Sequence, residues 1–294
     1  MKTVKKLVRN PISLVGLVIV LFFIVIGIAA PWLAPPKPGY SPYEIPRDGF
    51  SAMPKSPGGK HPLGTTEGQY DIYHGVIWGT RTAFRVGLII TVSITVIGVI
   101  LGTLAGYYGG MADELIMRIV DIFLAFPRLV AAMTLTTILG KGLDKVMIAL
   151  IVFGWMGYAR VIRSEILSLR EESYIEASKA VGAGNLRIIC RHLLPNAIYP
   201  VFVMASLDIG SMVLSAATLS FLGLGAEVGY ADWGQLASFT RNWIIGPPGD
   251  PLKYWYTVFY PGAAILLFVL GWNLLGDAFR DILDPKMQGQ LGTV

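Results

Sequence analysis

Long apolar runs separated by short polar stretches dominate the chain, and their lengths decide the architecture. A helix needs about 20 mainly apolar residues to cross hydrocarbon. Six segments meet or approach that length: residues 11–34, 86–106, 115–140, 146–159, 197–224 and 258–276. Backbone polar groups cannot stay unpaired in a bilayer, so runs this long are predicted to be helices. The first contains Ser13 as its single hydroxyl side chain and follows Lys2, Lys5, Lys6 and Arg9. A signal peptide has an apolar region of only about 7–15 residues, and Pro31 would hinder cleavage after Ala29-Ala30, so the segment reads as a retained helix. The third carries Arg118, Asp121 and Arg128, and Pro127 is predicted to bend it by removing a backbone hydrogen bond. The fourth is predicted to continue past Arg160 and Arg163 into water.

Composition agrees with a bilayer as solvent. With 54% hydrophobic residues, 15% charged residues and a mean hydropathy of +0.60, the chain has too few charges to cover a soluble globule of 294 residues. The same values exclude a disordered chain, and the lone Cys190 excludes a disulfide scaffold. The net charge of +5 is informative through its placement and gives no evidence for a nucleic-acid partner. Four basic residues lie in the first ten, six between Arg160 and Arg191, and Arg280 and Lys286 in the tail. The long connections at 35–85 and 225–257 hold six and two. Both termini are therefore expected in the cytoplasm, as an even number of spans requires. The resulting fold class is an all-α integral membrane protein with six transmembrane helices in a multi-pass cell-membrane arrangement. Its parts are a cytoplasmic N-terminus (1–10), a first helix (11–34), an external loop (35–85), a core of five helices (86–276) and a cytoplasmic tail (277–294). Residues 35–64, rich in Pro, Gly and Ser, are expected to form turns and extended chain.

The cytoplasmic loop at 163–196 is long and patterned. Tyr174, Ile175, Ala177, Ser178, Ala180 and Val181 allow a short helix with an apolar or small face, closed by Gly182 and Gly184 as C-cap residues. Such a helix is either a knob for a groove on another protein or an interfacial helix on lipid headgroups.

Glu176-Ala177-Ser178, with Gly182 and then Leu194-Pro195 behind it, resembles the coupling loop of permease subunits in ATP-binding-cassette importers, with Ser178 where that motif has Ala. The resemblance covers nearly the whole chain and points to the C-type subunits of dipeptide and oligopeptide importers. It is carried by His61-Pro62-Leu63-Gly64-Thr65, Leu124-Ala125-Phe126-Pro127, Arg191-His192-Leu193-Leu194-Pro195-Asn196, the stretch from Leu219 to Gly225, and Asn273-Leu274-Leu275-Gly276-Asp277 with Arg280-Asp281 and Leu283-Asp284-Pro285. The chain departs from that pattern at Thr66, where Asp is usual, and at Gln69-Tyr70-Asp71, where Gly-Arg-Asp is usual. It departs again at Ala216, where Glu is common, and at Arg128. The resemblance implies a coupling helix formed around Tyr174, Ile175, Glu176, Ala177, Ser178, Ala180, Gly182, Leu194 and Pro195 that docks on a cytosolic ATPase. It also implies a homologous second permease, two cytosolic ATPase subunits carrying ATP and Mg2+, and an extracytoplasmic solute-binding protein. Peptides are the first expectation for cargo and oligosaccharides the second.

The residues themselves offer little chemistry of their own. No Gly-x-x-x-x-Gly-Lys-[Ser/Thr] loop is present, since Gly140-Lys141-Gly142 lacks the spacing, and no metal-ligand spacing or nucleophile constellation emerges. No cofactor is therefore expected on this chain. His192 reads as fixing the loop. Glu176 reads as a contact within the loop or against the ATPase, or as a solvated Glu favoured by the helix dipole. Arg128, ten residues past Arg118, lies about 15 Å further along an unbroken helix and should face the interior, either lining a polar passage in contact with substrate or Asp208 or forming a structural ion pair. Ser211 and Ser215 stand out in a fifth span dense in small and hydroxyl residues, either packing helices or lining a wet pathway. Among the external aromatics, Trp255 and Tyr256 fit a membrane-interface belt. Trp233 and Trp243 are candidates for stacking on sugar or on a partner's loops. A stand-alone secondary carrier or channel is the rival from another class, and it would need an ion-coupling site that the sequence lacks.

Overall fold

The computed structural model describes residues 10–283, and these form a bundle of helices with no strand longer than an isolated bridge. Helix α1 (Pro11–Leu33) starts at Asn10, whose carboxamide accepts the Ile12 N–H at 3.1 Å, and has Pro in its first turn, where a missing N–H costs nothing. Its buried positions Ser13, Gly16, Val20, Phe23, Gly27 and Ala30 recur every three or four residues, so one stripe meets the bundle and the rest faces outward. Helix α2 (Ile72–Tyr108) is capped by Asp71, whose carboxylate accepts the His74 N–H at 2.9 Å. It begins well before residue 86, so the connection after α1 ends at residue 71. Gly75, Gly79, Arg81 and Arg85 dilute the hydropathy of those first turns, yet Ile72, Trp78 and Ala83 are buried there by protein.

The third span is two helices, α3 (Gly110–Leu124) and α4 (Arg128–Leu139), meeting at 87°. A single bent helix over 115–140 is therefore corrected to a break at Ala125-Phe126-Pro127, where Pro127 has no N–H to continue the ladder. The fourth span likewise divides into α5 (Leu143–Val152) and α6 (Met156–Arg170), and α6 carries Arg160 and Arg163 onward as expected. Then come α7 (Ser173–Ala180) and α8 (Asn185–Ile188), a π-helical turn at Ile189–Leu193, and α9 (Leu194–Phe221). The short α10 (Trp233–Ser238) and the last helix, α11 (Trp255–Leu283), complete the bundle. Because α11 runs to Leu283, the tail from residue 277 begins as helix. Among the described residues, five helical stretches are long and apolar enough to cross a membrane, and the α3–α4 pair makes up to six.

The two larger of three packing centres among the described residues hold most of these elements. On α2, Gly98, Gly102 and Gly106 lie one turn apart against α6. A Cβ at Gly98 would sit 2.3 Å from the Tyr158 Cβ, and one at Gly102 would sit 2.3 Å from the Ala159 carbonyl oxygen. The two backbones thus touch over successive turns, the close approach that glycine permits in membrane helices. Around this contact Ile90, Ile94, Ile162, Ile166 and Leu193 form the inner core. Near the other end Phe23, Trp78, Trp233 and Phe268 form a second, aromatic core shared by α1, α2, α10 and α11.

Candidate functional site

The loop after α6 is built as a platform. Within α7, Ile175 is fully buried, whereas Tyr174, Glu176, Ala177 and Ala180 are exposed and Ser178 is half-buried, its hydroxyl donating to the Tyr174 carbonyl at 2.8 Å. Ile175 is therefore the pivot of the helix and not part of a free apolar face. The helix ends in a Schellman arrangement: Ala183 N–H donates to Ser178 O at 3.0 Å and Gly182 N–H to Lys179 O at 2.9 Å, with Gly182 at φ +80°. Gly184 has ordinary extended backbone and caps α8 instead of closing α7. Beyond the cap, Val181 is 84% and Leu186 75% exposed, an apolar rim facing outward. Leu194 and Pro195 open α9, half-buried and exposed respectively. Glu176 pairs with no cation among the described residues, so a contact within the loop is not formed. His192 offers its carbonyl to Asn196 at 2.6 Å, and its ring makes no hydrogen bond among the described residues.

Side chains missed in the sequence fasten this platform to the bundle. Arg163 grips Asp113 with two hydrogen bonds, one of them 2.6 Å from Nη2 to Oδ2, and Arg160 pairs with Asp121. Arg170 donates to the carbonyls of Gly106 and Tyr107 at 3.3 Å, while the Tyr107 hydroxyl donates to Asn185 at 2.8 Å. Three arginines spaced along one helix were legible as topology signals. Their partners at 113 and 121 required the α3–α6 crossing to be known.

Inside the bundle, Asp208 accepts hydrogen bonds from the Tyr158 hydroxyl at 2.7 Å and the Ser211 hydroxyl at 2.9 Å, and Ser215 donates to the Ser211 carbonyl at 2.8 Å. All three sequence candidates on α9 are half-buried. Arg128 does not join Asp208. It is exposed at the start of α4 and makes no ion pair among the described residues, because the break at 125–127 removes it from the straight axis on which its depth was reckoned.

At the opposite end, residues 35–71 and 222–254 pack into one cap. Ile45 N–H donates to Gly229 O and Ala231 N–H to Tyr43 O, both at 2.7 Å, and Tyr43 stacks on Tyr230. The His61 ring lies 2.6 Å from Asp71 and 3.4 Å from Asp48. Trp233 is corrected from an external contact to a core residue. It is 2% exposed, packs on Phe23 and Phe268, and its indole N–H donates to Val76 O at 3.0 Å. Trp243 is half-buried, with its N–H on Glu67 at 2.8 Å and its ring edge-on to Tyr254, so its stacking capacity is already used. Tyr256 is buried too, which leaves Trp255 as the exposed member of the expected belt. Asp232, buried at the start of α10, accepts the Gln235 N–H at 2.9 Å. Burial pushes its carboxyl up to about 6. The Asp-x-x-Gln spacing before Trp233 was the available signal for that cap. Among the described residues, no group of three His, Cys, Asp or Glu side chains could hold a metal.

These features define a multi-pass membrane protein whose largely apolar interior holds a small polar group around Asp208, whose one end is capped and whose other end presents a braced helix. Residues 98–289 match the family described as binding-protein-dependent transport system inner membrane component, and the chain belongs to it. Residues 2–51 also match the N-terminal TM domain of oligopeptide transport permease C. The chain is 40% identical to the dipeptide transport system permease protein DppC of Alkalihalophilus pseudofirmus, over 97% of this chain and 89% of that protein. It is 38% identical to the probable D,D-dipeptide transport system permease protein DdpC of Escherichia coli, over 98% and 92%. Its fold is similar to that of the methionine ABC transporter MetNI in inward-facing conformations, with a TM-score of 0.53 and 20% identity over 71% of this chain and 97% of that one. The chain is thus a membrane permease subunit of an ATP-binding-cassette importer.

Proposed function

We propose that the chain forms half of the translocation pathway for dipeptides or oligopeptides, beside a homologous second permease. Two separate cytosolic ATPases bind ATP and Mg2+, an extracytoplasmic solute-binding protein delivers the cargo, and both termini of this chain are cytoplasmic. The observation that carries the coupling role is the exposed face of α7 turning on buried Ile175. Only residues 171 and 172 separate α7 from α6, so a push on α7 reaches α6 directly. The glycine contact joins α6 to α2 and the Arg163–Asp113 pair joins it to α3, so these helices move together. The interruptions at 125–127 and 153–155 supply the bends. Nucleotide binding drives the change to the extent that it favours one arrangement of the ATPases over the other. The names of the relatives favour peptide cargo.

Vesicles holding the complete assembly test both parts of this reading. ATP-dependent uptake of a labelled dipeptide, with maltotriose excluded, is the expected result; uptake of maltotriose alone would replace peptide by oligosaccharide. In Glu176→Ala, membrane insertion should be normal and ATP-driven uptake lost. Normal uptake in that variant would remove the coupling role of Glu176, and uptake by this chain alone without ATPases would favour a stand-alone carrier.

A further inference from the structure

The cap holds a cleft of about 460 Å3 in which an anion and a cation are both presented. Glu67 stands on a tightly held turn. Gly68 has φ +77° and Gln69, at φ +65°, is the only non-glycine residue with left-handed backbone among the described residues. That conformation is unfavourable for a residue with a Cβ and persists where surrounding contacts enforce it. Here the buried Gln69 side chain donates to Met53 O at 2.6 Å, and Gly68 N–H donates to Ser51 O at 2.9 Å. One oxygen of Glu67 accepts from Trp243 at 2.8 Å and Asn242 at 3.2 Å, while the other has no protein partner among the described residues.

Arg241 lines the same cleft. Its guanidinium lies 4.5 Å from the Phe221 ring centroid and pairs with no carboxylate among the described residues. Part of the cleft wall is aromatic, with Tyr70 and Phe239 stacked at 5.0 Å and 6°. The turn is also where the sequence departs from the pattern it resembles, at Thr66, Gln69 and Tyr70, and of these Tyr70 lines the cleft.

We infer that this cleft binds short peptides with free termini, Glu67 receiving the α-ammonium group, Arg241 the α-carboxylate, and the Tyr70–Phe239 stack a side chain. The inference rests on the peptide reading above and adds a selective site on the permease itself. An uncharged sugar would use the aromatic wall but neither charge. Opposite charges lining one cleft, unpaired with each other, match a zwitterion.

The test uses the complete transporter in nanodiscs without its solute-binding protein, and saturation-transfer NMR with trialanine, N-acetyl-trialanine and trialanine amide. Half-exposed ion pairs are modest, so blocking either terminus should weaken binding about two- to fivefold. Glu67→Gln should lose the penalty for acetylation and keep that for amidation, and Arg241→Gln should do the reverse. A misfolded variant would not give that crossed pattern. Equal binding of the three probes, no binding, or variants without the crossed pattern would overturn the site. In a separate pull-down with the solute-binding protein, loss of its capture in both variants together with no crossed pattern would also overturn the site and make the cleft a protein-docking surface. If the complete assembly still takes up peptides while this experiment fails, the cleft is rejected and the peptide reading stands. If it takes up none, the peptide reading itself fails.

Discussion

Asp232 illustrates how one buried side chain links the cap to pH. Its carboxyl titrates at about 6 in the folded chain against 3.8 ordinarily, so between those values the folded state holds a proton that the unfolded state has released. Stability from this group is therefore greatest below about pH 4 and falls as pH rises through 6. The separation of roughly two units corresponds to about 3 kcal/mol at most. Asn at this position keeps an acceptor for the Gln235 N–H and removes the charge. Asp232→Asn should therefore flatten the melting temperature between pH 4 and 7 in nanodiscs and raise it at pH 7 by a few degrees. An unchanged slope would mean that Asp232 is not the titrating group. Gln69 makes a different point at the same scale: the resembled pattern has Gly there, and φ +65° supplies the physical reason.

At the scale of elements, the α2–α6 contact depends on missing side chains. A Cβ on Gly102 would come within 2.3 Å of both the Ala159 carbonyl oxygen and Ile162 Cγ2, and backbone cannot yield as a flexible side chain can. Gly102→Val should destabilise the chain by about 1–3 kcal/mol or more, measured as thermal melting in nanodiscs. At Gly262 in α11 an added Cβ would meet nothing within 4 Å, so Gly262→Ala should be neutral or gain up to about 1 kcal/mol of helix propensity. Comparable losses at the two sites would refute the packing account. The apolar runs made the helices legible, and the loop spacing made α7 legible. Less visible were features set by distant partners. The outer turns of α2 are buried by protein and carry arginines, so hydropathy alone ended the helix at the wrong place. Trp233 looked like a surface aromatic because its acceptor, the Val76 carbonyl, belongs to another helix far away in sequence. Arg128 was placed by counting along a helix that breaks one residue before it.

For the whole molecule, orientation is the property on which the coupling role depends, and the chain carries its own label for it. Cys190 is the single cysteine, lies in the π turn behind α8, and is exposed. It stands between Arg187 and Arg191, within the most basic connection of the chain, and Lys and Arg concentrate on the cytoplasmic side of membrane proteins. An exposed thiol reacts with maleimides through its thiolate. A membrane-impermeant maleimide should therefore modify the wild-type chain, expressed without its ATPases, in inverted vesicles and leave it unmodified in intact cells. Adding the ATPases should reduce labelling in inverted vesicles if they seat over α7 and its rim at Val181 and Leu186. Strong labelling in intact cells would put the loop outside, where no cytosolic ATPase reaches it. The six spans could then remain, but nucleotide energy would have no route into them through α7.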